Sequence, residues 1–282
     1  MIVYRQMTLQ DIPSGLSLCR SAGWNQTDFE WKLFLELSPD GCRVATDNNG
    51  DVVGTVTTVR YQNHFSWIGM VLVDPIRRRQ GIGLQLLKES LQILRNDPTI
   101  KLDATPEGRE VYLKLGFIDE YPLNRMLWNT VASDKLPVSI ARPLHAVDLP
   151  ELIEFDREVF GADRQQLLQR ILNEAPQYAF LVKENNKIKG YCFGRKGHHF
   201  SHIGPVVAHG LGDAIHMVSA ALRQSSGGPV ILDVMEGAAQ WVSWLSSLGF
   251  VKQRPLIRMV KGSNAYPGIP ENQFAILGPE FG

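Results

Sequence analysis

Val71-Leu72-Val73-Asp74-Pro75-Ile76-Arg77-Arg78-Arg79-Gln80-Gly81-Ile82-Gly83 is the stretch that decides how this chain is read. A β-branched run stops at Asp-Pro, where the proline removes a backbone donor, and the chain restarts as the glycine-flanked opening of a helix. Glycine lets backbone approach a ligand closely, and a helix starting there presents free N–H groups and roughly half a positive charge. That arrangement suits a phosphate or pyrophosphate, and Arg77, Arg78 and Arg79 add charge beside it. The following helix is amphipathic: Ile82, Leu86, Leu87, Leu91 and Leu94 share one face, opposite Gln85, Lys88, Glu89, Gln92 and Arg95. Two familiar phosphate loops do not fit. A P-loop needs Gly-Lys-Ser/Thr, whereas Gly83 is followed by Leu84, and the dinucleotide fingerprint needs G-x-G-x-x-G. The plain alternative is a strand, a basic surface loop and a helix that bind nothing.

Outward from this segment the chain repeats itself. Leu115-Gly116-Phe117 recurs as Leu248-Gly249-Phe250, and Pro122-Leu123-Asn124-Arg125-Met126 as Pro255-Leu256-Ile257-Arg258-Met259, both 133 positions later. Weaker echoes pair Leu102-Asp103 with Leu232-Asp233, Ile68-Gly69 with Ile203-Gly204, Gly54 with Gly190, and Asp11-Ile12-Pro13 with Asp148-Leu149-Pro150. Loop insertions explain the small drift in offset. Two copies of one α/β unit follow, rather than a solenoid of many short repeats.

The first copy reads as a strand at 2–6, helices near 11–20 and 28–37, and strands around 43–46, 52–61 and 67–73. After the glycine-flanked helix come a short strand at 100–104, a helix over 106–115 and two closing strands. Pro106 suits a first helical turn and Gly116 a C-terminal stop. The second copy repeats that order, with strands near 138–142, 179–183, 188–193, 203–207 and 230–234. Its counterpart to the basic loop is Val207-Ala208-His209-Gly210-Leu211-Gly212-Asp213, which has glycines but no arginine. Asp213 competes with any phosphate for the helix N–H groups.

The loop resembles the R/Q-x-x-G-x-G/A pyrophosphate motif of the GNAT N-acetyltransferases, matched by Arg78, Gly81 and Gly83. The layout is similar to a bacterial two-domain subgroup with a degenerate second GNAT-like domain. The resemblance implies an α+β chain of tandem GNAT folds, each a central mixed, mostly antiparallel sheet flanked by helices. Residues 1–133 form the catalytic unit, and 137–282 a unit that walls the acceptor pocket or supports the first. It also implies acetyl-CoA as donor, its pyrophosphate on Arg78, Arg79, Gln80, Gly81, Ile82 and Gly83 and its pantetheine along Val71, Leu72 and Val73. Two pantetheine amides can pair with a strand edge as a peptide does. Tyr112, in Tyr112-Leu113-Lys114-Leu115-Gly116-Phe117, resembles the family's Y-x-x-x-G-F segment and is the implied acid for the departing thiolate; the alternative is a half-buried aromatic. Leu245, the second copy's counterpart, has no proton to give.

The strand feeding the loop, Trp67-Ile68-Gly69-Met70-Val71, lacks the glutamate that many members carry there. Asp103, Asp28, Glu30 and His64 are the remaining candidates for a relayed base. Trp24 and Asn25 lie in the segment that covers the acceptor side in this fold; alternatively Trp24 fills a core gap and Asn25 or Thr27 caps a helix. The reaction expected is acetyl transfer to a primary amine of a small or amino-acid-like molecule. Acetylation of protein lysines or N-termini, and a non-catalytic acyl-CoA sensor, are the competing readings. A further one gives the second copy's unused cleft to dimerisation, leaving monomer or homodimer open.

Composition bounds these readings. The 282 residues are 44% hydrophobic, with Lys+Arg and Asp+Glu equal at 29, which argues against a nucleic-acid partner. No apolar run is long enough for a membrane span and the first residues lack a signal-peptide layout, so a cytoplasmic protein without a membrane partner is expected. Cys19, Cys42 and Cys192 have no paired spacing, and His198, His199 and His202 sit at a turn between strands; no metal is expected.

Overall fold

The computed structural model describes residues 1–129, 133–225 and 227–282. The first copy runs β1 (Val3–Gln6), α1 (Ile12–Ser21), α2 (Asp28–Leu37), β2 (Arg43–Thr46), β3 (Val52–Tyr61), β4 (Phe65–Val73), α3 (Ile82–Ile93), β5 (Thr99–Ala104), α4 (Pro106–Lys114) and β6 (Ile118–Trp128). The second runs β7 (Arg142–Pro143), α5 (Leu149–Phe160), α6 (Gln165–Glu174), β8 (Phe180–Glu184), β9 (Lys187–Lys196), β10 (Ser201–Ala208), α7 (Leu211–Arg223), β11 (Val230–Met235), α8 (Ala239–Leu248), β12 (Val251–Gly262) and β13 (Gln273–Ala275). Mixed strands flanked by helices, in the same order twice, are the α+β architecture the sequence implied.

The copies exchange their last strands. The sheet order is β1-β2-β3-β4-β5-β12-β6-β11-β10-β9-β8-β7, so β12 of the second copy closes against β5 of the first, and β6 of the first against β11 of the second. One continuous sheet results. This corrects the expectation of two closing strands in the first copy: it has one, and the neighbour beside β5 comes from the other half. The strand expected over 138–142 is also shorter, because Ser139 Oγ, not a neighbouring strand, accepts from the Ala141 N–H and in turn donates to the His216 carbonyl. Val138 and Ile140 are consequently exposed.

Buried charge fixes the register of the exchange. Arg125 lies opposite Asp233 on the β6–β11 pair, and Arg258 opposite Asp103 on the β12–β5 pair. Each arginine grips its partner with two nitrogens, at 2.8 and 2.7 Å in the first pair and 2.8 and 2.9 Å in the second. The repeat noticed in sequence is therefore met crosswise: the arginine of each copy holds the aspartate of the other. A one-residue slip would turn either arginine to the wrong face.

Two features of the first copy make a cleft. β4 pairs with β5 only at Ser66↔Ile100 and Trp67↔Lys101, then splays away. The splay starts at a bulge against β3, where Met70 takes a left-handed φ of 51° and its carbonyl accepts from Thr55 Oγ1 at 2.8 Å. The second copy has the same bulge and the same short parallel pairing, Ser201↔Val230 and His202↔Ile231. There, however, β13 pairs with β10 at Val206 and Val207, and the Ile276 N–H donates to Asp233 on β11. Its cleft is filled by its own chain at β13.

The segment 277–282 folds back into the centre. Phe281 stacks on Phe34 at 4.5 Å, Tyr61 donates to the Phe281 carbonyl at 2.7 Å, and Trp67 Nε1 donates to the Pro279 carbonyl at 2.9 Å. The largest apolar cluster joins α1, α2, α5 and α6 with this segment. Cys19, Cys42 and Cys192 are buried and free, and burial pushes each thiol up to about 12. Among the described residues no helix is long and apolar enough to cross a membrane.

Asp233→Asn tests the exchange. Burial raises the Asp233 pKa, but Arg125 and His202 outweigh it and hold the carboxyl well below its ordinary value. Its contribution is therefore complete at neutral pH and is lost only as pH falls below about 3.9. Leaving Arg125 buried without its counter-charge is expected to cost about 3–5 kcal/mol in equilibrium unfolding at pH 7; a change within experimental error would refute the role given to the pair.

Candidate active site

The splay opens into a cavity of about 550 Å³ that receives residues from both copies. Its outer end is the basic loop. Asp74 accepts from the Ile76 N–H at 3.0 Å and starts a short turn, and Arg77 is drawn aside to Asp47 at 3.0 Å. The chain then takes two left-handed residues, Arg79 at φ 62° and Gly81 at φ 80°. No side chain caps the start of α3 at Gly81, so the first helical N–H groups stay open to a ligand. Alternating left-handed residues turn N–H groups inward into an anion-binding nest. Arg78 and Arg79 are exposed beside it. In the second copy the corresponding helix, α7, carries Asp213 in its first turn and no arginine before it.

Val71, Val73, Arg78, Arg79, Gly81, Ile82, Gly83, Trp24 and Tyr112 line this one cavity; Leu72, Gln80 and Asn25 do not. Strand alternation separates Leu72 from its neighbours. The Asp74 N–H donates to Val53, so Leu72 directs its backbone toward β3 while Val71 and Val73 direct theirs into the gap. Gln80 is exposed. Trp24 both borders the cavity and packs on the central apolar cluster.

Asn25 serves the second copy. Its Oδ1 accepts from the His199 and Phe200 N–H groups at 2.9 and 3.0 Å, and its Nδ2 donates to the Phe200 carbonyl at 3.0 Å. It thus clamps the β9–β10 turn onto the first copy. His198 and His199 are exposed on that turn, while His202 is buried with Nε2 3.1 Å from Asp233 Oδ2. Among the described residues there is no cluster of His, Cys, Asp or Glu suited to a metal.

Tyr112 is nine-tenths or more buried, with its ring edge-on to Phe117, and no protein partner of its hydroxyl is found among the described residues. Burial pushes its pKa up to about 12, so it is a protonated phenol at neutral pH. Tyr112 and Leu245 occupy equivalent helix ends: the Phe117 N–H donates to the Tyr112 carbonyl and the Phe250 N–H to the Leu245 carbonyl, both at 3.1 Å.

Of the four acids and bases considered, only Asp103 borders the cavity, and both its oxygens hold Arg258. Asp28 pairs with Lys32 on the surface, Glu30 caps α2 through Thr27 and accepts from Arg195, and His64 stacks on Tyr266. Sequence reading missed the cavity residues that come from far along the chain: Arg125, Arg254, Leu256, Pro279 and Glu280. Glu280 reaches the site because Gly69 has no side chain; a Cβ there would come within 2.8 Å of the Glu280 carbonyl oxygen. Burial raises the Glu280 pKa, but Arg195 and His202 outweigh it, and the carboxyl lies below its usual value. The crosswise echo of Arg125 with Arg258 was the one available hint.

Comparison with known proteins agrees with this construction. Residues 9–117 match the acetyltransferase (GNAT) family and residues 152–275 an acetyltransferase (GNAT) domain. The chain belongs to the GNAT acetyltransferases, as two GNAT units in tandem. It is 24% identical over 240 residues to the holothin acyltransferase of a Pseudoalteromonas species, covering 85% of this chain and 81% of that one. It is also 24% identical to the uncharacterized N-acetyltransferase YitH of Bacillus subtilis, covering 84% and 83%. A Pyrococcus horikoshii structure superimposes with a TM-score of 0.83 at 23% identity, over 100% of this chain and 96% of that one. A tandem GNAT protein from the clavulanic acid pathway superimposes at 0.67 with 14% identity, over 93% and 98%. Enzymes of this family use acyl-CoA donors.

Asn25→Ala separates clamp from pocket. It strips partners from two N–H groups and one carbonyl and is expected to cost about 1–3 kcal/mol of stability. At a temperature where the variant stays folded, its KM values should match wild type; raised KM at unchanged stability would place Asn25 in the pocket instead.

Proposed function

We propose that this chain moves an acetyl group from acetyl-CoA to the primary amine of a small molecule by direct attack within a ternary complex. One observation carries the reading: a single cavity joins the uncapped start of α3 and the free edge of β4 to Tyr112 and Glu280. The second copy lacks the arginines and the phenol, and its cleft is filled by β13. The thioester supplies an activated acyl carbon when the donor is bound. The open N–H groups of α3, with Arg78 and Arg79, hold the pyrophosphate, and Val71 and Val73 offer backbone partners to the pantetheine amides. As the amine attacks, the C–N bond forms and the C–S bond breaks; Tyr112 gives its proton to the departing sulfur, and the amine's proton passes to Glu280, directly or through water. Trp24 and the folded-back segment at Pro279 and Glu280 wall the acceptor end, which supports a small acceptor over a protein chain. A relative named for acyl transfer supports turnover over a binding-only sensor.

Thiol release from acetyl-CoA across a panel of amines tests the reading; tight coenzyme A binding with no turnover on any amine would defeat it. Tyr112→Phe is expected to lower kcat about 100-fold or more with KM for acetyl-CoA unchanged, and full turnover at saturation would sink the acid role. Gly81→Val cannot adopt the left-handed turn without strain and should raise KM for acetyl-CoA far more than it lowers kcat. Because Tyr112 titrates near 12 and Glu280 below its usual range, the wild-type kcat profile should show no limb from either group between about pH 6 and 10.

A further inference from the structure

Arg254 borders the same cavity, and the reaction as drawn gives it no task. Its placement is unusual in three ways. It stands directly opposite Arg125 on the β12–β6 pair, a like-charge juxtaposition that destabilises a sheet. Arg125 is compensated by both oxygens of Asp233, whereas among the described residues no carboxylate lies within ion-pairing distance of Arg254. Its Nε is buried without a hydrogen-bond partner. Of the nearby acids, Asp103 pairs with Arg258, Glu280 pairs through Oε1 with Arg195, and Glu107 is exposed; none of the three forms an ion pair with Arg254. Burial, and then the charge of Arg125, pull the Arg254 pKa down to about 10. Arg254 is half-buried, and a cation partly removed from water without a counter-charge is costly; an anion carried by a ligand in the cavity would supply that charge.

The face on which Arg254 lies says which anion. Along β12, Arg254, Leu256 and Arg258 alternate with Pro255, Ile257 and Met259; Ile257 and Met259 pack in the cluster beneath α3 and α4 with Tyr112. Arg254 therefore faces away from the donor-side helices, toward the side where Arg258 lies over Trp67 and where the segment with Pro279 and Glu280 closes the cavity.

We propose that Arg254 binds a carboxylate on the acceptor, so that the substrate is an amine that also carries a carboxylic acid, with free amino acids the simplest class. This rests on the acetyltransferase reading above. Glu280 then receives the ammonium end and Arg254 the acid end of one zwitterion, and the guanidinium's planar fork matches a carboxylate with two parallel hydrogen bonds.

The experiment measures thiol release with the twenty common amino acids, each beside its carboxamide, for wild type, Arg254→Gln and Arg254→Lys. Wild type should show at least a tenfold lower KM for the preferred acid than for its carboxamide. Arg254→Gln should abolish that preference by raising KM for the acid while KM for acetyl-CoA stays fixed, and Arg254→Lys should restore part of it. Equal KM values for acid and carboxamide in wild type, or turnover of neutral amines alone, would overturn the proposal and leave the transferase reading intact. A raised KM for acetyl-CoA in Arg254→Gln would assign the arginine to the donor and also overturn it. If no amine is turned over, the transferase reading fails, and thermal shift with the same amino acids in the presence of coenzyme A decides the binding role: stabilisation of wild type but not of Arg254→Gln supports it, and no stabilisation by any acid overturns it.

Discussion

The crosswise ion pairs, Arg125 with Asp233 and Arg258 with Asp103, are the constraint on which the rest of this structure depends. A buried ion pair adds little net stability, because removing two charges from water offsets most of their attraction. Breaking one is a different matter, and a pair that must meet in register selects one pairing of strands among several. Here the selected pairing joins β12 to β5 and β6 to β11. Two units that could each have closed on themselves are thereby made into one sheet with one shared cavity.

That exchange brings residues of the second copy into the first copy's cavity. β12 brings Arg254 and Leu256 to the first copy's cleft, and the segment that follows it brings Pro279 and Glu280. The same segment, a few residues earlier, forms β13 and fills the second copy's cleft. One stretch of chain closes one cleft and furnishes the other. In the second unit no arginine precedes the start of α7, and Leu245 stands where the first unit has Tyr112.

Stability and reactivity share residues at this centre. Arg195 ties Glu30 at the start of α2 to Glu280 at the cavity and to the Leu277 carbonyl at 2.7 Å, so one guanidinium links the first copy, the second copy and the site. Asn25 adds a clamp between the copies through the β9–β10 turn. This end of the cavity is therefore held by long-range contacts between elements of both copies.

The sequence by itself determined the class of fold, the duplication and the glycine-flanked basic loop that opens α3. Those features are written in local chemistry: Asp-Pro ends a strand, Gly81 takes a left-handed turn, α3 shows helical periodicity, and Tyr112 precedes a Gly-Phe stop at a fixed distance. A contiguous loop that binds with its own backbone is visible without knowing what lies beside it. Only the tertiary structure decided which distant residues complete the cavity, because they are separated by over a hundred positions and meet through strand exchange. Nothing local in Arg254 or Glu280 marks them; their meaning comes from which charges around them are already paired. The splay of β4 was likewise hidden, since it depends on a left-handed Met70, a conformation that its residue type does not announce.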